Sequence, residues 1–326
     1  MTTRRAVLGL AGVGLALPFA LRAQPVRKNV VVLFAGEEDD DEPAARPFFD
    51  EMRRLGWNEG ENIVYDRRYG KGTREYMENI ARSAAAGRDT DLVVATTTAL
   101  TLTLVKEPSS IPVVFASAAH PVRAGLVKSL DKPGGNATGA FTAVGEIVRR
   151  RLLITREAFP RLREIGVLVD RRSSDYPRQR ELHEDEGARL GFRVTAGEFT
   201  NFEAVPKALA TFRRAGIRLA IVTPSVILTG KRREVVDFAT LAKIALVAHR
   251  SEWAEAGAVM TYGADVAETL QRTARIANRV LRGAKPGEVP VEQATKLELA
   301  VNAKSAAALG LQIPAPLWER ADKRIE

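Results

Sequence analysis

Three consecutive threonines, Thr96, Thr97 and Thr98, follow a short apolar run, Leu92 to Ala95, and open a helical pattern. N–H groups free at a helix start favour a carboxylate, and hydroxyls beside them add hydrogen bonds. The same hydroxyls also serve as ordinary N-caps, and one can cap while another binds. Ser117 and His120 follow the next apolar run, Ile111 to Ala116. Further along, Ser173-Ser174-Asp175-Tyr176 brings hydroxyls, a carboxylate able to hold an ammonium group, and a ring able to stack on an apolar side chain. That segment reads equally well as a capping loop. Ser225 and Arg250 close two more apolar runs. Arg250 has the planar fork that pairs bidentately with a carboxylate, or forms a surface ion pair. Tyr262 stands where a ring is either wall or core. Residues of this kind hold a small polar solute; they do not transform one.

No catalytic residue is expected. The chain has no G-x-S-x-G, no H-E-x-x-H and no G-x-G-x-x-G after its first apolar run, and neither Gly70-Lys71-Gly72-Thr73 nor Gly230-Lys231-Arg232 fits a Walker-type loop. The three histidines lie far apart in sequence, which argues against His120 as a base or metal ligand, although His120 and His249 could meet across a closed cleft. An exported α/β hydrolase or metal-dependent enzyme is the remote alternative. The absence of cysteine excludes disulfides, thiolate metal sites, a cysteine nucleophile and a lipidated cysteine. No cofactor and no metal is expected. The acidic run Glu37 to Glu42 could draw a cation, but it lacks the spaced ligands and turn glycine of a calcium loop. Carboxylates also suit the approach to a helix N-terminus, here a helix expected over Pro43 to Leu55.

What must position the polar residues is written twice in the chain. Leu33-Phe34-Ala35 closes a first apolar strand, and the helix after it ends at Arg54-Leu55-Gly56-Trp57. Leu168-Val169 closes a second such strand, followed by a helix ending at Arg189-Leu190-Gly191-Phe192. Leu92 to Thr98 then corresponds to Ala220 to Ser225, and Ile111 to Ser117 to Ile244 to Arg250. Continuous apolar runs such as Val30 to Ala35 suit strands buried on both faces, while Ile63 to Tyr69 alternates as an edge strand does. Strands alternating with helices such as Arg74 to Ala86, Tyr176 to Leu190 and Glu203 to Ala215 predict parallel sheets covered by helices. A doubled unit of this kind gives two similar α/β lobes with a cleft between them.

The first residues set the compartment. Thr3-Arg4-Arg5 and the uncharged run Ala6 to Leu21, with Ala23 before Gln24, read as a signal peptide cleaved after residue 23, by the general or the twin-arginine route. The expected destination is the periplasm. The formal net charge of +9 falls to +6 without Arg4, Arg5 and Arg22. The rest, including Arg53, Arg54, Arg149 to Arg151 and Lys231 to Arg233, is expected on solvated helix faces, with no element that would read nucleic acid. The first lobe is expected over 24–143 plus about 263–288, and the second over 144–262 plus about 289–326. Several crossings between them make a hinge.

Five fragments carry a family resemblance: Leu55 to Asn62, Ile111 to Phe115, Lys132 to Gly139, Glu255 to Gly263 and Thr295 to Leu299. In this order they resemble the ABC transporter substrate-binding protein family, in the branch that includes binders of tryptophan and other aromatic amino acids. The resemblance implies a type I periplasmic binding protein fold: α/β, two doubly wound parallel-sheet lobes joined by a multi-strand hinge, with ligand between the lobes. It implies a periplasmic component of an ABC importer that captures a small solute, such as an amino acid or other carboxylate, by hinge closure. Its partners would be that solute and an inner-membrane permease, and the protein would be a monomer. Presentation of the solute to a membrane receptor, as a sensor, is the alternative. The chain departs from the family at His120-Pro121, where an Asp-Pro pair is usual, and at Pro224-Ser225, where Pro-Asp is common.

Overall fold

The computed structural model describes residues 27–326 except 72, 118, 119, 174 and 175, and leaves aside the side chains of 39–43, 117 and 226. The expected signal peptide lies outside the described residues. From the amino end, β1 (Lys28–Phe34), α1 (Glu38–Arg54), β2 (Ile63–Tyr69), α2 (Arg74–Ala85), β3 (Leu92–Ala95), α3 (Thr98–Leu104), β4 (Val113–Ser117) and β5 (Ala137–Phe141) build a first sheet and its helices. A second sheet follows with α4 (Val144–Ala158), β6 (Glu164–Asp170), α5 (Tyr176–Arg189), β7 (Arg193–Phe199), α6 (Val205–Arg214) and β8 (Leu219–Val222). It continues with α7 (Val226–Gly230), α8 (Arg232–Leu241), β9 (Ala245–Ala248), α9 (Ser251–Ala256) and β10 (Met260–Ala264). The chain returns to the first sheet through α10 (Val266–Leu281) and β11 (Glu292–Gln293). It ends on the second with β12 (Leu297–Asn302), α11 (Ala303–Ala308), α12 (Ala315–Glu319) and β13 (Lys323–Ile325).

The two sheets repeat one strand order, β2-β1-β3-β4-β5 in the first and β7-β6-β8-β9-β10 in the second. Pairing within these sets is parallel, and β12 adds to β10 antiparallel. Every residue of β3, β8 and β9 is buried, as strands covered by helices on both faces require. The cover is explicit. One face of the first sheet packs Val30, Val32 and Phe34 against α1 and α10 through Phe48, Met52, Leu270 and Ile276. Its other face packs Val31, Leu33 and Phe115 against α2 and α3 through Ala81, Ala84 and Leu100. The second sheet is sandwiched in the same way, by α4 and α5 on one face and α6, α8 and α9 on the other. This is the two-lobe, type I periplasmic binding protein architecture.

Three expectations are corrected. Helix α1 begins at Glu38 and not at Pro43, so the acidic run after Glu37 lies inside the helix and does not precede it. The first sheet reaches past residue 288, because Glu292–Gln293 pairs with β5 and both Val289 and Val291 pack into that lobe's cores. Within the supposedly solvated run Arg149 to Arg151, only the first two residues are exposed. Arg151 is buried, 3% exposed, because the 100° step of a helix turns it inward against β10.

The chain passes between the sheets at 142–143, at 265 and at 294–296. Hydrogen bonds tie these passages together. Ala294 N donates to Phe141 O, and Asp265 N to Lys296 O. Glu268, in the first turn of α10, accepts from the backbone N–H of Thr295 (3.0 Å) and Lys296 (2.7 Å). Burial opposes ionisation of Glu268, but the Lys296 N–H and the Arg272 guanidinium outweigh it and hold the carboxyl below its usual range. Arg151 Nε, on the helix after the first passage, donates 2.8 Å to Tyr262 O, on the strand before the second.

Candidate functional site

Except for Tyr262, which lies within β10, the sequence-selected residues fall at the carboxyl ends of β3 and β4 in one lobe and of β6, β8 and β9 in the other. That is where open α/β sheets receive ligands. The two lobes build these ends alike. Thr96 Oγ1 donates 2.9 Å to Leu33 O at the end of β1, and Thr96 N donates to the same oxygen. Thr223 repeats both bonds to Leu168 O at the end of β6, with the hydroxyl at 2.7 Å. Thr97 then caps α3 by accepting from Leu100 N, and Ser225 caps α7 by accepting from Leu228 N. Local physics selects hydroxyl residues here, since each seals a strand end to its neighbour or caps the helix that follows. Thr96→Val and Thr223→Val are each expected to lower the unfolding free energy by about 1 kcal/mol in urea titrations. The loss stays small because the backbone N–H still serves the same carbonyl.

The structure divides the predicted residues into those tied within their own lobe and those at strand-end loops. Tyr262 sends its ring into the core beside α4 and lends its carbonyl to Arg151. The Ser225 hydroxyl donates 2.8 Å to Asp170. The Tyr176 hydroxyl donates 2.5 Å to Glu198 on β7, and Arg250 pairs with Glu252 at 2.5 Å. Thr98 is the first residue of α3, a helix of seven residues. Ser117 ends β4 opposite Phe141. His120 is half-buried, its ring 5.4 Å from that of Phe141. Ser173 lies in the turn after β6, where its N–H donates to Asp170 O. Ser174 and Asp175 lie outside the described residues. Among the described residues no group of three or more potential metal ligands is gathered, and no helix is long and apolar enough to cross a membrane.

Three buried polar residues of the second lobe escaped sequence reasoning. Asp170, 5% exposed, accepts from Ser225 Oγ and from Arg172 N, so one carboxylate braces two strand-end loops. Its signal was a lone acid closing the apolar run Ile165 to Val169. Arg151 and His183 gave no signal, because only the packing of α4 and α5 turns them inward. His183 Nδ1 lies 2.7 Å from Gln179 O, and burial pushes the ring's pKa down to about 4. His249, the first residue beyond β9, is pushed down by burial and then by the charges of Arg151 and Arg250.

The sequence pattern of the ABC transporter substrate binding protein family matches residues 30–325. The chain belongs to that family. Its members bind solutes for ABC transporters, which sets the chain apart from enzymes. Among curated proteins it is similar to the Tyrosine-binding protein of Clostridioides difficile, with 23% identity over 286 residues, spanning 88% of this chain and 82% of that protein. Among solved structures it is similar to a conserved domain protein from Vibrio cholerae, with a TM-score of 0.83, 24% identity, and coverage of 91% of this chain and 99% of that one. An ABC domain from Streptococcus pneumonia in complex with L-Trp superposes with a TM-score of 0.82 at 20% identity, covering 92% of this chain and 100% of that one.

Proposed function

We propose that this substrate-binding protein captures an amino acid, with the aromatic ones first, in the cleft between its two sheets, and delivers it to the permease of an ABC importer. The observation that carries this reading is the similarity to a tyrosine-binding protein along 88% of the chain. The strand-end chemistry supports it. Thr97, Thr98 and His120 in the first lobe, and Ser173 and Arg250 in the second, stand at those strand ends and bring hydroxyls, an imidazole and a guanidinium suited to a carboxylate. Thr96, Asp170 and Ser225 shape the loops from which these groups project. Three tied passages between the lobes suit a hinge, so the ligand acts by favouring the closed arrangement that a permease recognises.

Export to the periplasm belongs to this reading and rests on residues 3–23. Action as a monomer belongs to it as well. Isothermal titration of the purified mature chain with L-tyrosine, L-tryptophan, L-leucine, D-glucose and myo-inositol is the test. The expected result is binding of the aromatic amino acids, with a rise in melting temperature that grows with ligand concentration. Binding of a sugar or polyol alone would overturn the reading.

A further inference from the structure

Arg151 is a fully charged side chain placed where charge is costly. It is 3% exposed, its Nε is held by Tyr262 O, and its Nη1 is buried without a hydrogen-bond partner. Among the described residues, no carboxylate forms an ion pair with it. Burial lowers its pKa only to about 10, so the guanidinium remains protonated at neutral pH. The two imidazoles that feel its charge, His183 and His249, are both held neutral and cannot compensate it. A buried cation left unpaired destabilises a fold, and a hydrophobic residue of similar volume normally serves stability better. Charged groups perturbed by burial cluster at functional sites, where a ligand of opposite charge can complete them.

Its place in the lobe indicates which anion. Tyr262 lies two residues before the end of β10, and His249 is the first residue after β9. The guanidinium therefore sits at the carboxyl edge of the second sheet, on the side where ligands enter such folds. Helix α4 begins directly after the first passage between the lobes, and side chains on a helix lean toward its N-terminus, here toward that passage.

We propose that Arg151 receives the carboxylate of the bound amino acid, so that this one side chain makes the protein select acids over the matching amines. The proposal rests on the amino-acid reading above. Nη1 is sealed from solvent in the unliganded chain, so the carboxylate reaches it by a local shift of the loop at His249 and Arg250 or of the first turn of α4. Binding then supplies a counter-charge that no carboxylate among the described residues gives Arg151. It also engages the helix and strand that flank two of the three passages.

The experiment compares L-tyrosine with tyramine, which lacks only the carboxylate, on the mature wild-type chain and on Arg151→Gln and Arg151→Met. The wild type is expected to prefer L-tyrosine strongly. Arg151→Gln is expected to weaken L-tyrosine binding by roughly 100-fold while leaving tyramine unchanged. Unliganded Arg151→Met is expected to melt at or above the wild-type temperature, since it removes an unpaired buried charge. Arg151→Lys, which keeps the charge without the fork, should fall between. A measurement on the wild type guards against misfolded variants. The Arg151 Nε–H resonance, assigned by its loss in Arg151→Lys, should move on adding L-tyrosine and stay in place with tyramine. If Arg151→Gln keeps the wild-type preference for the acid, or the resonance responds equally to both compounds, the inference is overturned while amino-acid capture stands. If the wild type binds neither compound nor any other amino acid, the functional reading itself fails and takes this inference with it.

Discussion

Acidification from pH 6.5 to pH 4 is expected to remove about 3 kcal/mol of stability through His183 alone. The ring is sealed between α4 and α5 beside the Arg151 charge, and its Nδ1–H is committed to Gln179 O. In the unfolded chain the imidazole takes up a proton near 6.5, whereas in the folded chain it does so only near 4. Between these values the unfolded state binds the extra proton and the folded state does not. The stabilising contribution is therefore complete above pH 6.5, declines as pH falls, and is gone near pH 4. His249 is displaced in the same direction and adds to the loss. Urea midpoints at pH 7, 5.5 and 4 measure the effect, and His183→Leu should flatten the profile between pH 6.5 and 4. A variant profile as steep as the wild type would assign the acid sensitivity to other groups.

Gly263→Ala is expected to cost about 3 kcal/mol and to disturb the loop after β9 as well. A methyl group at this position would lie 1.9 Å from His249 O, and a backbone carbonyl cannot rotate away as a side chain can. Relief requires β9 and β10 to separate at their carboxyl ends, which moves His249 and Arg250 directly. Gly139→Ala meets Phe115 O at 2.1 Å and is expected to weaken the first lobe in the same manner. Gly145→Ala is the control. Nothing lies within 4 Å of the added carbon and the residue is the second of α4, so a gain of about 0.5 kcal/mol is expected. Chemical denaturation of the three variants reads all of these. An unperturbed Gly263→Ala would mean that the two strand ends are more pliant than their packing indicates.

Much of the fold was legible because parallel strands covered on both faces must be apolar throughout, and such runs survive in the sequence without any partner being known. Val30 to Ala35, Leu92 to Ala95 and Leu219 to Val222 read as strands for that reason, and their order in duplicate gave the two lobes. The polar strand ends were also legible as positions, from Thr96 through Arg250. Their division of labour was not. Thr96 and Ser225 spend their hydroxyls inside their own lobe, on Leu33 O and on Asp170, and neither partner is near in sequence.

The sequence by itself determined the two-lobe α/β architecture and, through five ordered fragments, the resemblance to a solute-binding family. Periodicity, caps and the internal repeat are local or repeated properties, and they need no long-range contact to be seen. Only the tertiary structure decided the fate of Arg149, Arg150 and Arg151. Three identical side chains in a row differ in nothing but helical phase. The packing of α4 against β10 leaves the first two in water and encloses the third with one nitrogen unpaired. Burial of a charge is a property of what surrounds it, and those surroundings include a strand more than 100 residues further along the chain.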